Sequence, residues 1–383
     1  MRRQLIAETA TAQGKTVIQL LWDIAAFFDS IDITELIKHA KKWSMPYEPT
    51  ILALQQHLAP RALQIGGCFA PLIEKTGLSI LAGCTSSTRF GRAILRDSAL
   101  ETIKGAAKAV GSHVDDVTQL FTGANKWAVK RDAEEQGIGF AQALQKAGFT
   151  ISVKSVVVSS CWETAKSLVR TFQSNGIPMK AVGSAEDIGV TATGGCKRIV
   201  KENRQRLNKG IKRAGRVRVL TKFNAKAKVL YKTGVKPQQL YGIHSMGAAP
   251  SQRRTARRAA VMCGGCVGWR PCYTTALRQQ CGAEGDPGVE LPVQQVSHWL
   301  DLWWEATVEE KEDYKISWRI LRDKLSCRKT SDGRKSLGQW QRLSSPCWNW
   351  GGIPSSPIVG LPLAKGKQRH GAHLKKSRRS YNA

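Results

Sequence analysis

Apolar positions recur along the chain with two different periods, and these place most of its elements. Residues 16–24, TVIQLLWDI, predict a strand, with Val17, Gln19, Leu21 and Asp23 on one face and Ile18, Leu20, Trp22 and Ile24 on the other. Apolar residues on both faces imply burial on both sides. Asp23 then closes the strand in apolar surroundings, where a carboxylate needs a partner, a metal ion among the candidates. Asp32, with Glu35 three residues later, predicts a helix N-cap, and Leu36, Ile37, Ala40 and Trp43 supply the apolar stripe. A short helix is expected over 49–58, hairpins over 62–82 around Gly66, Gly67 and Gly77, and a long helix over 86–110. Residues 111–121 predict two short strands about a tight turn at Asp115-Asp116. A helix over 124–147 stops at Gly148, residues 149–158 predict a strand, and a further helix covers 162–173.

Strand, helix, hairpin, helix, strand is the order of a split βαββαβ sheet, an α+β fold. In that sheet the first strand lies beside the hairpin, which brings Asp23 towards Asp115 and Asp116. Beyond this core, residues 196–232 and 251–262 predict basic helices. Residues 298–304, with Trp318, predict amphipathic helix surface suited to packing.

Charge divides the chain. Of 383 residues, 59 are Lys or Arg and 29 are Asp or Glu, a net of +30. Residues 1–160 hold 18 basic and 14 acidic side chains, a net of +4, so the remaining +26 lies behind them. Between Lys197 and Arg258, 19 basic residues face one acid, Glu202. Such an excess costs stability by self-repulsion unless a polyanion offsets it, and nucleic acid is the common one. Lys201, Arg204, Lys212, Arg216 and Lys222 are spaced to track a phosphate backbone, giving affinity without sequence readout. No run of about 18 apolar residues predicts a membrane span, and no apolar core follows the basic N-terminus as in a secretory signal. An intracellular protein, nuclear or cytoplasmic, with no membrane partner is the expectation.

The acids give this basic chain its chemistry. Three carboxylates on adjacent strands can hold two divalent cations about 3.5–4 Å apart. Hard oxygen donors suit Mg²⁺, with Mn²⁺ as a substitute. Phosphoryl transfer needs little beyond positioning and charge neutralisation.

The same residues carry a resemblance. Asp23-Ile-Ala-Ala-Phe-Phe28-Asp29-Ser30 resembles motif A of reverse transcriptases, and His113-Val114-Asp115-Asp116 resembles motif C. Gly77-Leu-Ser-Ile-Leu-Ala82-Gly83-Cys-Thr-Ser-Ser87 is similar to motif B, Gly148 through Lys154 to motif D, and Asp187-Ile-Gly189-Val190 to the primer grip of motif E. The five stand in the right order over residues 16–192, in a style like that of non-LTR (LINE-type) retroelements. The resemblance implies a polymerase palm over residues 1–192 and a mostly helical basic thumb over 193–290. A Trp-rich helical segment over 291–345 and a basic disordered tail over 346–383 complete the expected organisation.

It implies roles as well. Asp23, Asp115 and Asp116 would bind the two Mg²⁺ ions. Phe28 would form the wall beneath the incoming sugar, Gly83 would let the backbone approach the nucleotide, and Ser87 would lie near template or nucleotide. Lys154 would contact the phosphates or protonate the leaving pyrophosphate. The implied partners are an RNA template, a DNA primer and dNTPs. Ala82 stands where the family has glutamine, and His113 where it has Tyr or Phe, near the primer end. Only 22 residues precede Asp23, so a chain truncated ahead of its fingers, with activity impaired, is expected. A non-catalytic nucleic-acid-binding remnant shares the charge pattern but has no need of the three acids. An RNA-dependent RNA polymerase shares the palm, although bulky Phe28 argues against admitting a 2′-hydroxyl. Cys263, Cys266, Cys272 and Cys281 include one C-x₂-C pair, but without a nearby histidine they read as free buried thiols rather than a zinc site.

Overall fold

The computed structural model describes residues 2–74, 77–103, 105–194, 199, 201–264, 272–282 and 285–326. Helix α1 (Arg2–Ala12) leads into the central strand β1 (Thr16–Trp22), which continues past Asp23 into a short β2 (Ile24–Ala25). Next come α2 (Ile33–Lys42), α3 (Tyr47–Leu58), a small hairpin of β3 (Gln64–Ile65) and β4 (Cys68–Phe69), and α4 (Ser87–Ser98). The hairpin β5 (Ala109–His113) and β6 (Asp116–Gly123) is followed by α5 (Lys126–Lys146), β7 (Thr150–Ile151), β8 (Val156–Ser159), α6 (Trp162–Ser174) and β9 (Lys180–Ala181). A second hairpin, β10 (Ser184–Asp187) and β11 (Val190–Thr193), ends the sheet-forming part. Beyond it the described residues are helical: α7 (Lys201–Phe223), α8 (Lys236–Leu240), α9 (Ile243–Met246), α10 (Pro250–Cys263), α11 (Tyr273–Cys281), α12 (Pro287–Glu305) and α13 (Val308–Ser326). The expected tail, 346–383, lies outside the described residues.

The fold is α+β around a mixed five-stranded sheet of order β5-β6-β1-β8-β9. β1 pairs antiparallel with β6 on one side and β8 on the other, and β9 joins β8 in parallel. The first strand thus lies beside the hairpin, as the order of elements predicts, with β8 on its other side. Ile18, Leu20 and Trp22 pack on α5 and α6, where the Trp22 ring meets Phe140 at 5.1 Å and Phe172 at 6.0 Å. On the opposite face Val17 packs with Leu120 and α1, and Leu21 with Val158 and Ala192. Each such buried Leu or Ile contributes about 1.5–3 kcal/mol.

Three elements differ from expectation, each for a local reason. The helix expected over 86–110 stops at Ser98, where Ala99 leaves helical geometry (φ −136°, ψ −40°); a short 3₁₀ turn over Leu100–Thr102 follows, and by Lys108, whose N–H donates to Leu120 O, the hairpin ladder has begun. The strand expected over 149–158 breaks into β7 and β8. Between them Ser155 N–H turns back onto Ser152 O at 3.0 Å, and Ser152 N–H donates to Asp23 O at 2.8 Å. The basic helix expected over 196–232 ends at Phe223, where Asn224 Oδ1 accepts from Lys226 N–H and caps a separate turn.

The predicted start of α2 is present: Asp32 accepts from the N–H groups of Thr34 and Glu35. The end of this helix is tied to α4. The Asp97 carboxylate, 5% exposed, meets His39 Nδ1 at 2.6 Å, Lys42 Nζ at 2.7 Å and Trp43 Nε1 at 3.0 Å. Burial pushes the Asp97 carboxyl up, but the hydrogen bonds from Lys42, His39 and Trp43 outweigh it and leave the pKa lowered. A depressed folded-state pKa stabilises above the unfolded value of about 3.9 and is lost as pH falls through the folded one. Asp97→Asn should therefore cost about 1–2 kcal/mol near neutral pH, and the difference from wild type should vanish in acid, as urea unfolding at several pH values will show.

At the far end of the described residues, α13 docks on α1. Arg2 forms two bonds to Glu310 at 2.9 and 3.0 Å, and Ser317 Oγ donates to Thr9 O. In α12, Trp299 is buried and stacks on Trp303 at 5.5 Å, in line with the packing role expected of this segment, while Trp304 is exposed. Among the described residues no helix is long and apolar enough to cross a membrane.

Candidate active site

Strand register decides which acids meet. In β1 the face carrying Val17, Gln19 and Leu21 continues to Asp23, and Leu21 pairs with Thr118 of β6. Alternation then puts Asp116 on that same face, two residues from Thr118. The β5–β6 loop is two residues long, Val114-Asp115, closed by the His113–Asp116 pair. Val114 has φ +58°, so the loop has the positive first position of a type II′ turn, unusual for a β-branched residue. The sequence reading placed both acids in the turn. Asp115 is there, whereas Asp116 is the first residue of β6.

These elements enclose a cavity of about 320 Å³ whose charged lining is Asp23, Asp116, Lys154, Glu186 and Asp187. Asp23 is fixed through its backbone: its N–H donates to Ser155 Oγ at 3.0 Å and its carbonyl accepts from Ser152 N–H. This anchor is what breaks the predicted strand and leaves Lys154 in a turn, exposed at the cavity. Burial raises the Asp116 pKa, and the neighbouring charges of Asp115, Asp23 and Asp187 raise it further, against a small opposing effect from His113. Among the described residues no side chain donates to the carboxylates of Asp23, Asp115 or Asp116. No three acid, histidine or cysteine side chains there are drawn together tightly enough to cage one ion. A set of unpaired carboxylates at raised electrostatic cost fits a divalent cation by its donor chemistry.

The other candidates lie differently. Residues 77–80 run alongside the loop after Asp23: Ile80 N–H donates to Phe28 O at 2.8 Å, Ser79 N–H to Ile31 O and Ile33 N–H to Gly77 O. Phe28 does not line the cavity but packs on Phe27 at the core's edge. Ser87 is fully buried, and its hydroxyl donates to Leu81 O at 2.6 Å, bracing its own loop. His57, also buried, accepts Leu81 N–H on Nδ1 from the other side of that loop. Gly83 is exposed, and a Cβ there would meet nothing within 4 Å, so this arrangement does not itself require glycine. His113 is exposed opposite Asp116.

Lys201, Arg204, Lys212, Arg216 and Lys222 are all exposed on α7, while Leu207, Gly210, Ala214 and Val217 face inward. Of the four cysteines around the C-x₂-C pair, Cys263 is buried as expected. Cys272 is exposed at the start of α11, where it cannot count as a buried thiol, and Cys266 lies outside the described residues. Sequence reasoning placed Asp187 only within the primer-grip motif. Its place in the cavity lining, beside Asp23, Asp116 and Glu186, has as its only sequence signal an acid at a hairpin tip before Ile188-Gly189. No protein-family model matches the chain, and no curated protein matches it.

Proposed function

We propose that the chain is an RNA-directed DNA polymerase, with a reverse-transcriptase-like palm in its sheet and a basic thumb in the helices that follow. One observation carries this reading. Asp23, Asp116, Lys154 and Asp187, from four separate motif-like segments, line a single cavity, and the motif-B-like segment is bonded to the loop that follows Asp23. A bare pair of aspartates is a weak signal, whereas motif order together with convergence in space is a strong one.

In this reading the primer 3′-hydroxyl oxygen attacks the α-phosphorus of a dNTP and pyrophosphate leaves. Asp23, Asp115 and Asp116 would hold two Mg²⁺ ions. When bound, these supply charge neutralisation at the attacking and leaving oxygens. Lys154 Nζ, exposed at the rim, carries a proton for the leaving pyrophosphate. The exposed cations of α7 hold the template–primer duplex by its backbone.

The test is Mg²⁺-dependent extension of a DNA primer on an RNA template by the full chain. Extension by wild type and its loss in Asp115→Ala support the assignment. Duplex binding without extension in wild type favours a non-catalytic remnant, and extension that survives Asp115→Ala removes the site. Incorporation of rNTPs in preference to dNTPs would move the chain to the RNA polymerases.

A further inference from the structure

Asp187 belongs to two cavities at once. It lines the acidic one with Asp23 and Asp116, and it lines a second, of about 240 Å³, with Arg3, Gln19 and Tyr241. Its carboxylate is held from two elements: Oδ2 accepts from Arg3 Nη2 of α1 at 2.8 Å, and Oδ1 accepts from Thr118 Oγ1 of β6 at 3.3 Å. The ion pair is largely shielded, with side-chain exposures of 20% and 17%. Room for the arginine comes from Gly111 in β5, where a Cβ would overlap the guanidinium.

The hairpin tip that carries Asp187 is pinned as well. Tyr241 hydroxyl donates to Ile188 O at 2.9 Å, and Arg206 pairs with Glu186 at 3.0 Å. Ile188 and Gly189 both have positive φ, +48° and +73°, the pattern of a type I′ turn. A β-branched residue tolerates that conformation only where its surroundings impose it. The fold therefore keeps a third negative charge, beside Asp115 and Asp23, acting on Asp116, and places one arginine where it offsets part of that charge.

We infer that Asp187 is an electrostatic positioning residue of the active site that sets its affinity for divalent cations, and that Arg3 holds Asp187 and attenuates its charge. The inference rests on the metal-dependent reading above. Its test uses Mg²⁺ alone, titrated into the full chain at constant ionic strength, with the rise in unfolding temperature read as occupancy. Asp187→Asn removes one negative charge at nearly constant shape and should raise the Mg²⁺ midpoint roughly three- to tenfold, the scale of one partly screened charge. Arg3→Gln removes a positive charge and should lower the midpoint by a similar factor. Arg3→Lys keeps the charge and should stay within about twofold of wild type.

A pair with only a structural role would move Asp187→Asn and Arg3→Gln in the same direction. Shifts of the same sign, or an Asp187→Asn midpoint equal to that of wild type, overturn the inference and leave the polymerase reading standing. A wild-type chain with no Mg²⁺ response overturns both. Should Arg3→Gln fail to fold, the contrast between Asp187→Asn and Arg3→Lys still decides the outcome.

Discussion

Asp116→Asn is expected to lower primer extension by at least about a hundredfold, the scale for losing one preorganised electrostatic group, and at the same time to stabilise the fold at neutral pH. The two effects share a cause. Burial, then the charges of Asp115, Asp23 and Asp187, raise the folded-state pKa of Asp116. For a raised pKa the group's contribution is fully present below the unfolded value, about 3.9, and is lost as pH rises through the folded value. Wild type should therefore lose stability over that window, and Asp116→Asn, which never ionises, should not. Above the window the variant melts higher than wild type, and in acid the two converge. Thermal unfolding from pH 3 to pH 8 checks the stability half, and single-turnover extension checks the catalytic half. A variant that loses both stability and extension would make Asp116 a structural residue. Sites that work by concentrating like charge carry this cost in the absence of their ion.

Legibility followed the range of the interactions. β1 could be read because its apolar run, and the β5–β6 hairpin because its turn, are written locally, and α2 because Asp32 and Glu35 lie within one turn. The face shared by Asp23 and Asp116 followed from pairing those two elements. The break between β7 and β8 could not be read, since Val156 and Val157 look like a continuation of Ile151 and only the backbone of Asp23 says otherwise. Helix α1 carries no recognisable apolar stripe, because Ala7, Thr9, Ala10 and Ala12 form a close-packed small-residue surface, and its partner α13 lies some 300 residues away in the chain. Arg3 and Asp187 were invisible as a pair for the same reason, being 184 residues apart. The bond from Ser87 to Leu81 O, which braces the loop of the motif-B-like segment, could not be read either, because spacing says nothing of where a hydroxyl turns.

Trp22→Ala should be the most damaging single change to the fold, and it tests whether the site depends on the core beneath it. The indole is 2% exposed and lies against Phe140 and Phe172. Truncating a buried tryptophan costs about 3–5 kcal/mol. The loss also strips a partner from Gln119, fully buried, whose Oε1 accepts Trp22 Nε1–H at 2.9 Å and whose Nε2 already lacks one among the described residues. Leaving that acceptor unmade adds about 1–3 kcal/mol. Together these approach the whole stability of an ordinary domain, roughly 5–15 kcal/mol. Trp22→Phe separates the two contributions, keeping most of the ring packing while losing the hydrogen bond, and should cost about 1–3 kcal/mol. Urea unfolding of both variants gives the two costs. Because Trp22 is the residue before Asp23, the phenylalanine variant should still fold yet extend primers more slowly than its stability alone explains. Full activity in Trp22→Phe would show instead that the backbone bonds of Asp23 to Ser152 and Ser155 suffice to place its carboxylate.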